Sequence, residues 1–149
     1  MSFNNRYAIT DIDLIDKNQR MSLSIDEFDN VIPVILLVPE LKEKEHDHIH
    51  LEKDGDLKRF LNILKLKGSN YMNVGYYRLE TSHHVVSKEL AIKLDLFMFK
   101  SNNPSEGVDK LYSVNITKQG LEDISNWIDE FYSKSDSELN SKYLKDSKA

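Results

Sequence analysis

A chain of 149 residues fits one ordinary domain, since domains run at roughly 100–200 residues, and a composition that is 40% hydrophobic and 30% charged excludes wholesale disorder and fibrous repeats. The absence of cysteine removes disulfide frameworks, thiolate metal sites and cysteine nucleophiles. A formal charge of −5, from 25 acidic and 20 basic residues interleaved along the chain, leaves neither the basic footprint of a nucleic-acid binder nor the dense carboxylate surface of a DNA mimic.

The opening residues lack the apolar core of a signal peptide, and the longest apolar run, Val31 to Val38, is interrupted by Pro33 and falls far short of about 20 residues. The sequence therefore predicts a cytoplasmic protein without a membrane span. Enrichment in Asn, Lys, Ile and Asp suggests an AT-rich coding genome, phage or bacterial.

From Tyr7 to Ile15 apolar and polar residues alternate as in a half-exposed strand, Asp16 to Arg20 reads as a turn, and Met21, Leu23 and Ile25 resume the period of two. A hairpin is predicted there. Val34 to Val38, β-branched and flanked by prolines, reads as a buried strand, and His48 to Leu51 as a further extended piece. Asp54-Gly55-Asp56 supplies helix-start chemistry. Leu57, Phe60, Leu61 and Leu64 then repeat at helical spacing, predicting a helix over 55–67 that ends at Gly68.

Val74 to Leu79 and Leu90 to Lys100 read as strands, the second alternating strictly, and the turn formers of 101–107 predict an antiparallel return through Leu111 to Ile116. Thr117 is a good N-cap for a helix over 118–133, with Leu121, Ile124, Trp127, Ile128 and Phe131 on one face. The expected fold class is α+β: one domain over 1–134, a mostly antiparallel sheet of about five to seven strands with both amphipathic helices packed on one face. The polar stretch 135–149, with only Leu139, Tyr143 and Leu144 to bury, is expected to be a frayed or disordered tail. Two segments resemble each other internally: the runs from Ile49 and from Val114 share a short strand, a Lys-x-Gly turn and a helix with similar apolar spacing. Duplication and convergence on strand–cap–helix physics both account for that.

Every histidine lies in two places, His46, His48 and His50 in one and His83 with His84 in the other. Alternate residues of a strand project to one side at about 7 Å, so His46, His48 and His50 could share zinc or another divalent metal, with His83 or His84 as a further ligand and Glu45 or Asp47 as base. That pattern would make a histidine-metal hydrolase. A charged, solvated edge explains the same residues, because no ligand spacing such as HExxH is completed. Asp11, Asp13 and Asp16 superficially suggest a calcium loop, but Ile15 stands where oxygen is needed and no glycine turns the chain. Nucleotide-binding and serine-nucleophile motifs are missing.

Tyr71, Tyr76 and Tyr77, near His83 and His84 in sequence, suggest an amphipathic partner-binding surface. The leading expectation is a non-enzymatic protein-binding domain without a cofactor, such as an immunity protein, antitoxin or phage-encoded inhibitor. Its partner would be another protein, for example a basic toxin, nuclease or nucleic-acid enzyme steered by the mild negative charge. The alternatives are the metal hydrolase and a structural, homo-oligomeric subunit of a virion or assembly.

Overall fold

The computed structural model describes residues 6–26, 34–37, 48–52, 55–101, 103–135 and 137–138, with backbone alone at 6–10, 25, 26, 34–37, 48 and 104. Among the described residues, eight strands and two α-helices follow in the order β1 (Arg6–Asp11), β2 (Ser22–Asp26), β3 (Val34–Leu37), β4 (His48–Leu51), α1 (Asp56–Leu64), β5 (Tyr71–Val74), β6 (Tyr77–Val86), β7 (Glu89–Phe99), β8 (Val108–Ile116) and α2 (Lys118–Ser133). A short 3-10 turn, Pro104–Glu106, precedes β8. The α+β class expected from the sequence is present, but as two four-stranded antiparallel meanders, β1-β2-β3-β4 and β5-β6-β7-β8, rather than one sheet of five to seven strands.

The meanders meet where the chain after β1 runs beside β8. Leu14 bridges to Ile116, and the Ile15 N–H donates to the Asn115 carbonyl at 2.9 Å. Alternation along β6, β7 and β8 gives the second sheet one apolar face. Met72, Leu79 and Leu96 stand in one row and Thr81, Leu94 and Val114 in the next, all fully buried. Phe60 of α1 and Trp127 and Phe131 of α2 join the same buried cluster, together with Leu23, Ile49 and Leu51 from the first meander. The helices touch each other, α1 lying against β5 and β6 and α2 against β7.

Four local readings are corrected. Val74 to Leu79 is not one strand: Gly75 (φ 57) and Tyr76 form a two-residue loop between the paired Val74 and Tyr77. Val74 and Tyr77, three apart, share one face, so the inward phase shifts by one residue across the loop, and glycine at its first position marks the place. Helix α1 is shorter than 55–67. Leu66, in the left-handed region at φ 55, ends it, with Leu66 N–H bonded to the Ile63 carbonyl and Lys67 N–H to that of Asn62. The half-buried Leu66 packs on the core, which offsets a backbone conformation that costs roughly 1–2 kcal/mol outside glycine.

At the start of α1 the N-cap is Gly55, without a side-chain cap. Asp56 lies inside the first turn, where it suits the helix field and accepts from Glu52 N–H at 3.1 Å. Finally, the two Lys-x-Gly turns are not equivalent. Gly55 stands outside its helix at φ 107, whereas Gly120 is within the first turn of α2. Thr117 does cap α2, its hydroxyl accepting from Gly120 N–H at 2.9 Å. Val38, Glu45, His46, Asp47, Asp54 and the tail from 139 onward, named in the sequence reading, lie outside the described residues.

Candidate functional site

Strands β6 and β7 are longer than their neighbours, and the excess defines the most distinctive surface feature of the chain. β5 pairs only with Tyr77 to Glu80, and β8 only with Ile92 to Phe99, so the hairpin from Ser82 to Leu90 extends past both. Its loop is Ser87 and Lys88, both left-handed at φ 52 and φ 70. That is the geometry two-residue hairpins favour, adopted here by residues that pay about 1–2 kcal/mol each for it. Val85 and Leu90 face each other across the ribbon and remain 64% and 60% exposed. They continue the apolar face of the sheet beyond the end of the core.

The ribbon also has an open backbone edge. Thr81 N–H donates to the Asn70 carbonyl at 2.8 Å, and the Asn70 side-chain amide closes the ladder by donating to the Thr81 carbonyl at 3.3 Å. Alternate residues turn their backbone groups the same way, so His83 and Val85 direct N–H and C=O to a side where, among the described residues, no strand pairs with them.

The expected site residues separate. His83 and His84, neighbours on β6, point to opposite faces and are both exposed. His50 is an exposed residue of β4 in the other meander, opposite Ile35. His48 is described by its backbone alone and His46 not at all. Among the described residues no group of three or more His, Asp or Glu side chains could hold a metal ion. Of the tyrosines, Tyr76 is 61% exposed at the β5–β6 loop and Tyr71 45% exposed, with the Arg78 guanidinium stacked 4.2 Å above its ring. Tyr77 is a core residue at 6% exposure, so it drops out of the proposed surface. A tyrosine pair straddling a turn looks alike on both sides in sequence, and only the register sends one ring inward.

Two polar clusters serve the scaffold. On the face of the second sheet opposite the helices, Asp95 accepts from the Ser113 hydroxyl at 2.6 Å and lies 3.4 Å from the Lys110 ammonium. At the junction of the meanders, Asp13 binds the Lys17 ammonium at 2.7 Å and the Thr117 hydroxyl at 2.6 Å. Lys17, then Thr117, hold its carboxyl below the usual carboxylate range because both favour the ionised form. The acids that suggested a calcium loop are thus placed for folding: Asp13 joins the halves, and Asp16 accepts from Asn18 N–H at 2.9 Å within the turn.

No family model matches the chain. Part of it is similar to staphylocoagulase of Staphylococcus aureus, 30% identical over 96 residues, which is 62% of this chain and 14% of staphylocoagulase. The chain thus spans a small fraction of that relative's length. No helix among the described residues is long and apolar enough to cross a membrane.

Proposed function

We propose that this chain is a non-enzymatic protein-binding domain, of the immunity-protein, antitoxin or phage-inhibitor kind, that engages its partner through the β6–β7 ribbon. The observation carrying this reading is the directly paired Val85 and Leu90, held at the end of a rigid sheet and left more than half exposed. Apolar side chains that project in this way are the anchors around which interfaces form, while flanking polar groups exclude water. The open edge at His83 and Val85 adds backbone groups to which an extended partner segment can bond. A net charge of −5 with both signs interleaved favours a basic partner, such as a nuclease or toxin, through faster encounter.

The test is a photo-crosslinking residue placed at Leu90, with the same residue at Lys100 as control, in cells of the native host. The expected result is one stoichiometric partner protein captured from position 90 and not from position 100, and lost in Val85→Glu. Equal capture at both positions, or none at either, would sink the reading. Cross-links solely to a second copy of the chain would replace it with the structural-subunit alternative.

A further inference from the structure

Helix α1 and the turn that follows it carry charge of the opposite sign to the rest of the chain. Residues 55–68 hold Lys58, Arg59, Lys65 and Lys67 against Asp56 alone, within a chain of net charge −5. A hollow opens there, lined by Arg59, Asn62, Lys67, Gly68, Ser69 and Tyr71. Arg59 is bound loosely to Asp56, at 3.8 Å, and its side chain stays 54% exposed. Lys67, exposed, has no carboxylate within ion-pair distance among the described residues. The Arg78 guanidinium, itself paired with the Glu80 carboxylate at 2.7 Å, lies 4.2 Å over the Tyr71 ring and fixes that aromatic wall.

We propose that this hollow binds a phosphoryl group. A guanidinium fork, an ammonium and the Asn62 amide line it on one side and the backbone around Gly68 on the other, while the Ser69 hydroxyl is spent within the loop, donating to the Tyr71 carbonyl at 3.1 Å. Donors arriving from several directions suit a tetrahedral oxyanion carrying close to two charges better than a planar carboxylate carrying one. Gly68, at φ 78 with open space where a Cβ would stand, lets the loop backbone approach the anion without steric cover. Asp56 bears on one side of Arg59 only, so the local balance stays positive. The site is separate from the ribbon, and neither proposal depends on the other.

Inorganic phosphate and phenyl phosphate, titrated into the isotope-labelled full chain at constant ionic strength with chloride as reference, test this. Saturable shifts are expected at the amides of Gly68, Ser69 and Tyr71 with at least one of the two probes. Response to phosphate identifies a free-ion site, and response to phenyl phosphate alone an ester site. Arg59→Gln with Lys67→Gln, two exposed positions whose loss leaves the fold intact, lowers the affinity by roughly tenfold or more, while Lys100→Gln leaves it unchanged. Shifts that do not saturate, that scatter over lysines elsewhere, or that survive the double substitution in a protein with an unaltered melting curve would overturn the proposal.

Discussion

The two halves of the chain have the same order of elements, four antiparallel strands and then a helix, yet they are held in different ways. In the first half the strands run to 4–6 residues, whereas in the second β6, β7 and β8 reach 10, 11 and 9. The surplus length becomes the exposed ribbon. The helices differ at their ends. The C-terminus of α1 is secured by the second half, where the buried Thr81 hydroxyl of β6 donates to the Ile63 carbonyl, which also accepts from Leu66 N–H in the closing turn of the helix. The N-terminus of α2 is secured by the first half, where Asp13 accepts from Thr117 through both its carbonyl and its carboxylate. Each half thus completes a helix of the other, and one core follows from that exchange.

If the halves share one core, the largest effects come from its two largest fully buried rings, one on each helix. Phe60→Ala and Phe131→Ala should each cost about 3–5 kcal/mol, and each should lower one common urea transition. Two resolved transitions, with each variant moving only its own, would show two separately folding halves.

A smaller effect sharpens the contrast between the glycines. A Cβ at Gly120 would stand 2.5 Å from the Asp13 carbonyl oxygen and 3.0 Å from Ile116, so Gly120→Ala forces backbone apart and should cost about 2–3 kcal/mol. At Gly55 a Cβ meets nothing within 4 Å, and only the backbone at φ 107 resists it, so Gly55→Ala should cost about 1–2 kcal/mol. Amide exchange distinguishes them further, since only Gly120→Ala should speed exchange at Thr117, whose N–H is bonded to Asp13. Equal behaviour of the two variants would remove the distinction.

The smallest effect is a pH dependence at the junction. Asp13 titrates below the ordinary carboxylate range in the folded chain because Lys17 and Thr117 stabilise its ionised form. Its contribution is therefore fully present above the unfolded value of about 4 and disappears as pH falls through and below it. With its side chain 41% exposed, that contribution is screened and modest. Urea midpoints measured from neutral pH into acid should fall more steeply for the wild type than for Asp13→Asn, the two curves converging at the acid end. Parallel curves would remove Asp13 from the acid response.

The sequence by itself determined the elements in which a buried stripe or strict alternation coincides with a local signal. Helix α2 is legible in full, because Thr117 caps it and the stripe from Ile124 to Phe131 faces the core. Strand β7 follows from its alternation, and the first hairpin from apolar runs on either side of a polar turn. Tertiary structure decided what the side chains cannot announce on their own. The part of β6 just past the core, Ser82, His83 and His84, carries no apolar residue, so its strand state comes from pairing with β7. Leu66 rather than Gly68 ends α1 because packing of its side chain outweighs a modest backbone cost. Thr81, the inward turn of Tyr77 and the role of Gly120 all arise from segments distant in sequence. Local chemistry sets what each segment can form, and the contacts between segments choose which face is buried and which remains free to bind.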